Sequence, residues 1–121
     1  MGAKIVLADD LSFMRMVQKE ILEEKGYTIV GEASDGIEAI ERYETLRPDV
    51  IILDITMPNM SGIEALAAIK QIDPNSKVVM CSAMGQESMV MEAIKLGALD
   101  FIVKPFKQDR IVQTVTKILP L

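Results

Sequence analysis

Short apolar runs of strand length alternate along this chain with longer stretches of helical period. The runs are KIVLA (4–8), TIVGEA (28–33), VIIL (50–53), VVMCS (78–82) and FIV (101–103). Helical patterning falls between them at about 12–25, 36–46, 61–72, 87–96 and 107–119. In the last of these, Ile111, Val115, Ile118 and Leu119 repeat at the spacing of one buried face. Ser61 followed by Glu64 predicts a capping box at the start of the third helix. Gly26 and Gly97 stand where left-handed helix ends need a residue without a side chain, and Pro48, Pro74 and Pro105 punctuate connections.

Five strands alternating with five helices predict successive βα units, hence an α/β fold with a parallel sheet covered on both faces. Runs as uniformly apolar as VIIL suit strands buried on both sides. No linker, internal repeat or low-complexity segment interrupts the pattern, so residues 1–121 are expected to form a single domain.

Composition narrows the function. Half of the 121 residues are hydrophobic, with nine Met, three Phe, two Tyr and no Trp, so the core is expected to be aliphatic. The net charge of −5, without any basic run, argues against a nucleic-acid surface, because phosphate binding needs a clustered positive field. The apolar stretches are far too short to span a membrane. The first residues lack the pattern of a signal peptide, and Val6 breaks that of a myristoylation site. The single cysteine, Cys81, cannot form an internal disulfide, which fits a reducing compartment, the cytoplasm.

In parallel sheets, ligands bind beyond the carboxyl ends of the strands. Here the first strand runs into Asp9-Asp10, the third into Asp54, the fourth into Ser82 and the fifth into Lys104-Pro105. Taken singly, Asp-Asp is a solvated turn or cap, Ser82 a cap and Lys104 a surface lysine. Their coincidence at one rim points to chemistry. The strand order 2-1-3-4-5, one of the common doubly wound arrangements, would make strands one and three neighbours and bring Asp9, Asp10 and Asp54 together.

Three carboxylates in one pocket repel; at about 5 Å and an effective dielectric of about 20, each pair costs roughly 3 kcal/mol. A cation is therefore implied. With no His and no thiolate pair the donors are hard oxygens, which select Mg²⁺ (or Mn²⁺) and exclude a zinc site. One ammonium cannot balance three carboxylates, so Lys104 is read as a point charge awaiting an anion. A carboxylate beside a divalent ion, a lysine and a hydroxyl can attack a phosphoryl group, which makes Asp54 a candidate phosphoryl acceptor.

Asp9-Asp10, Asp54-x-x-Met57-Pro58-x-x-x-Gly62, Ser82-Ala83 and Lys104-Pro105, in this order and spacing, resemble the receiver domain of two-component response regulators over essentially the whole chain. FMRM (13–16), CSAMGQ (81–86) and DFIVKPF (100–106) look most similar to the single-domain chemotaxis receivers of Gram-positive and deep-branching bacteria. The resemblance implies a doubly wound, flavodoxin-like (βα)5 fold and a phosphorylation-activated switch rather than an enzyme. Asp54 would take the phosphoryl group from a chemotaxis histidine kinase of the CheA kind. Asp10 would ligate Mg²⁺ directly and Asp9 through water, with Asp54 and the Thr56 carbonyl completing the protein ligands. Ser82 and Lys104 would bind phosphoryl oxygens, and Ser82 and Phe101 would switch. The fourth helix, fifth strand and fifth helix would then present a changed face to a flagellar motor switch protein. A phosphatase would be a further partner, neither nucleic acid nor membrane would be one, and a monomer is expected. The Lys104-Pro105 bond would be cis. Thr56 and Met84, two residues after Asp54 and Ser82, would flank the water that hydrolyses the aspartyl phosphate.

Within that family, a phosphorelay or sporulation-type receiver is the alternative. An aspartyl-phosphate phosphohydrolase of the haloacid dehalogenase type is disfavoured, because Thr56 replaces the second Asp that such enzymes use as general acid. The phosphoacceptor half of a DNA-binding regulator is disfavoured too, by the lack of a basic surface and of residues after KILPL. Of Met14, Met16, Met89 and Met91, two or three are expected to pack in or against the core. Cys81 should be an inert core residue, and Lys19, Glu20, Glu23, Glu24 and Lys25 a solvated helix face.

Overall fold

The computed structural model describes residues 2–120. Five strands alternate with five helices: β1 Lys4–Ala8, α1 Ser12–Glu24, β2 Thr28–Ala33, α2 Gly36–Leu46, β3 Val50–Asp54, α3 Gly62–Ile72, β4 Val78–Ala83, α4 Glu87–Lys95, β5 Asp100–Lys104 and α5 Gln108–Ile118. The strands form one parallel sheet in the order β2-β1-β3-β4-β5. This is the doubly wound α/β architecture that the alternation predicts.

Side-chain alternation along each strand divides the core into two layers. Val6, Ile51, Leu53, Val78 and Met80 pack on one face against Ala39 and Tyr43 of α2, Leu66 and Ile69 of α3, and Val90 of α4. Ile5, Leu7, Val50, Ile52, Val79 and Ile102 pack on the other against Leu22 of α1 and Ile111 and Val115 of α5. All five residues of β3 are buried, as befits the central strand.

Local signals behave as expected. Ser61 caps α3 and Glu64 reciprocates, completing the capping box. Gly26 and Gly97 take φ values of 98° and 111° just past α1 and α4, a conformation that costs other residues a steric clash. The Lys104-Pro105 bond is cis. Cys81 is buried in the α1/α5 layer, where burial pushes its thiol up to about 12. Glu20, Glu23, Glu24 and Lys25 are exposed and Lys19 half-buried.

The methionines are a correction. Met16, Met89 and Met91 are exposed, and of the four only Met14 is half-buried. In α1 and α4 the buried positions are Gln18, Leu22, Val90 and Ala93, so these methionines fall on the outward faces. Leu11 and Phe13 are also exposed.

Candidate functional site

Strand alternation explains which side chains meet at the carboxyl rim. Asp54 continues the parity of Val50 and Ile52, Lys104 that of Ile102, and Asp9 that of Ile5 and Leu7. All three therefore emerge on the α1/α5 side of the sheet. Ser82 follows Val78 and Met80 and emerges on the other side of β4.

One carboxylate oxygen from each of Asp9, Asp10 and Asp54 lies within 4.8 Å of the others. Asp9 and Asp54 are buried, while Asp10 is exposed. Lys104 Nζ donates to Asp9 Oδ2 at 2.6 Å and to Asp54 Oδ2 at 3.1 Å. Lys104 thus pairs with two of the three carboxylates, where sequence reasoning reserved it for an incoming anion. The physical reason is the shared parity, which aims its chain along the sheet face at both acids. Burial acts most strongly on Asp54 and pushes its carboxyl above the ordinary range; Lys104 opposes that and Asp9 reinforces it. Burial works to lower the Lys104 ammonium, but its bond to Asp9 and the charges of Asp54 and Asp9 outweigh it, and the net shift is upward.

The donor set fits a hard divalent cation. Three carboxylates and no imidazole converge, and the nearby thiol of Cys81 is buried in the layer beneath.

The surrounding loops hold this arrangement. Asp54 is seated against the start of α3, where Gly62 N–H donates to the Ile55 carbonyl at 2.8 Å. A Cβ on Gly62 would come within 2.0 Å of the Asp54 carbonyl oxygen, so only glycine allows so close an approach. Arg15 of α1 donates to the Asp9 carbonyl and to Glu32 of β2, steadying the loop that carries both N-terminal carboxylates. Asn59, at φ 66°, donates to Asp35 and ties the loop after β3 to the start of α2. Thr56 N–H makes a long bond of 3.4 Å to Asp54 Oδ1. Sequence reasoning missed Arg15, Asn59 and Gln86, whose side chain reaches Thr56 Oγ1 at 2.8 Å. None carries a local signature, because each acts on an element that only the fold brings beside it.

The two candidate switch residues share a cavity. Ser82 and half-buried Phe101 line, with Val90, Met91, Ile94 and Val103, a cavity of about 420 Å³ between α4 and β5. Met84 is 79% exposed, so its chain stands in solvent at the rim rather than packed over Asp54.

The family model described as "Response regulator receiver domain" matches residues 5–116. This chain belongs to the receiver domain family. The receiver is 52% identical over 118 residues to the chemotaxis protein CheY of Thermotoga maritima, covering 98% of each chain. It is 51% identical over 119 residues to that of Bacillus subtilis, covering 98% of this receiver and 99% of the relative. Among solved structures, the CheX-CheY-BeF3-Mg²⁺ complex of Borrelia burgdorferi contains a chain that superposes with a TM-score of 0.92 at 36% identity, covering 96% of the receiver and 88% of that chain. The chain is a CheY-like receiver of two-component, chemotaxis-type signalling.

Proposed function

We propose that this receiver is a phosphorylation-activated chemotaxis switch whose phosphoryl acceptor is Asp54. The observation that carries the reading is the convergence of three carboxylates with Lys104 at the rim, around a buried carboxylate on the central strand.

An Asp54 oxygen attacks the phosphorus of a phosphohistidine. The new O–P bond forms as the P–N bond breaks, and the imidazole leaves with the electron pair and takes up a proton. Asp9, Asp10, Asp54 and the Thr56 carbonyl would hold Mg²⁺ (or Mn²⁺), which would supply neutralisation of the charge on the phosphoryl oxygens. Lys104 turns from Asp9 and Asp54 toward the arriving anion, since a phosphoryl group brings a denser negative charge than either carboxylate. Ser82 donates its hydroxyl to a phosphoryl oxygen. Its movement draws in the loop after β4, and Phe101 turns inward at the cavity they share.

The changed face of α4, β5 and α5 then meets a target, the flagellar motor switch. A histidine kinase of the CheA kind is the donor and a phosphatase resets the switch. The similarity to chemotaxis proteins named CheY supports these assignments, and the complex of the Borrelia burgdorferi CheY with CheX supports a protein partner. The whole chain works as one receiver domain, a monomer in the cytoplasm without nucleic-acid or membrane binding. Among the described residues no helix is long and apolar enough to cross a membrane.

The test is incubation with a radiolabelled chemotaxis kinase and Mg²⁺, followed by pull-down with flagellar switch proteins. Label transfer with phosphorylation-dependent capture is expected. Transfer without capture would demote the chemotaxis target and leave the phosphorelay alternative. No transfer from any phosphodonor would overturn Asp54 as acceptor.

A further inference from the structure

Gln86, the residue before α4, has no part in the chemistry above, yet its side chain makes two hydrogen bonds across the rim. Its Oε1 accepts from the backbone N–H of Ala83 at 2.6 Å, and its Nε2 donates to Thr56 Oγ1 at 2.8 Å. Ala83 follows Ser82 and closes β4, while Thr56 lies two residues after Asp54. One carboxamide therefore joins the end of β4 to the loop that follows Asp54. Helix capping does not account for it, because Gln86 makes no side-chain cap bond to α4. The loop itself has little else to hold it. Ala83, Met84 and Gly85 are exposed, Gly85 turns at φ 89°, and nothing lies within 4 Å of where its Cβ would be.

We propose that Gln86 is a releasable clamp, a positioning residue that holds the β4–α4 loop in its unphosphorylated arrangement and yields when Asp54 carries a phosphoryl group. The proposal rests on Asp54 being the acceptor. The Gln86 carboxamide is a neutral acceptor for Ala83 N–H. A phosphoryl group adds three anionic oxygens beside the same loop, and hydrogen bonds to such oxygens are roughly twice as strong as neutral ones. The Ala83 N–H is then drawn to the anion and Gln86 is released. Bonds made in only one of two states bias the equilibrium toward that state, so Gln86 sets how readily the loop moves with Ser82. Losing one net hydrogen bond of about 1 kcal/mol changes that balance about fivefold.

Two measurements on Gln86→Ala test this. Amide hydrogen exchange by NMR, without any phosphoryl mimic, should show Ala83 exchanging several-fold faster than in the wild type, with the Ile52 amide unchanged. Titration with beryllofluoride and Mg²⁺, a mimic of the bound phosphoryl group, should show binding about fivefold tighter. Thr56→Val, which removes the other anchor of the clamp, should shift Ala83 exchange in the same direction. Mere loosening of the site would weaken beryllofluoride binding, so equal or weaker binding by Gln86→Ala overturns the clamp. Unchanged Ala83 exchange overturns it as well. Failure of the wild type to bind beryllofluoride would instead bring down the acceptor reading, and the clamp's purpose with it.

Discussion

Lys104 Nζ sits 2.6 Å from Asp9 Oδ2, although the two residues are 95 positions apart. The same ammonium is 3.1 Å from Asp54 Oδ2, so one cation from the last strand bridges acids at the ends of the first and third. With Asp9 almost wholly buried, the pair is shielded from the screening that weakens surface ion pairs. The bridge ties three strand ends together and leaves exposed Asp10 as the carboxylate of the cluster most open to solvent.

Lys104→Ala should therefore destabilise the metal-free protein by about 2 kcal/mol, because it strands two buried carboxylates beside each other. Saturating Mg²⁺ should narrow that gap, since the ion takes over part of the neutralisation. Urea titrations of both proteins with and without Mg²⁺ read both effects. A gap that stays constant with metal would contradict a shared charge cluster.

Asp10→Ala should act in the opposite sense. It removes a repelling charge and should raise metal-free stability by up to about 1 kcal/mol, less than the unscreened pair energy because Asp10 is exposed. Stabilisation by Mg²⁺ should fall sharply in the same variant. A metal-free loss of stability, with the Mg²⁺ effect intact, would be the contrary result.

Asp54→Asn should fold normally and gain no phosphoryl mass from acetyl phosphate and Mg²⁺, since the shape is kept and the nucleophile is lost. Intact-protein mass spectrometry shows the outcome directly. A full phosphoryl gain in the variant would move the acceptor elsewhere.

Hydrolysis of the aspartyl phosphate needs a water in line with the phosphorus. By family resemblance Thr56 and Met84 flank that approach, at positions that carry Asn and Glu in enteric chemotaxis receivers. Met84 offers no donor or strong acceptor, and the Thr56 hydroxyl already receives a bond from Gln86. The protein should lose its phosphoryl group slowly on its own, and Thr56→Asn with Met84→Glu should speed the decay several-fold. Decay after donor removal in excess Mg²⁺ is the measurement, and an equal or slower rate in the double variant would reject the idea.

Tyr43 is buried and donates to Asp73 Oδ2 at 2.9 Å. Burial, aided by Asp73, pushes its phenol from 10.0 to about 12. The folded state thus keeps a proton that the unfolded chain releases first. The Tyr43 contribution to stability is full below pH 10.0 and is lost as pH rises toward about 12. Relative to wild type, Tyr43→Phe should flatten the fall in stability across that window. An unchanged slope in denaturation midpoints measured from pH 9 to 12 would show that the phenol is not held neutral.

The order of elements, the order of the strands' chemistry and the buried face of the last helix were legible in the residues themselves. The short continuous apolar runs in KIVLA and VIIL, a period of 3.6 around Ile111 and Val115, and the Ser61–Glu64 spacing are local properties that survive without a partner. The acids at the strand ends were legible for the same reason, since a strand's end is marked where its apolar run stops. The contacts that organise the rim depend on which loops the sheet order brings side by side. Lys104 meets Asp9 because β1, β3 and β5 present the same parity to one layer, and Gln86 meets Thr56 because β3 and β4 are neighbours. Met16, Met89 and Met91 are outward for a related reason: an apolar residue is buried only if the helix turns it toward the sheet, and here Leu22, Val90 and Ala93 occupy the faces turned inward. Periodicity is encoded along the chain, whereas convergence is encoded across it, and only the folded sheet brings residues 30 to 95 positions apart within hydrogen-bonding distance.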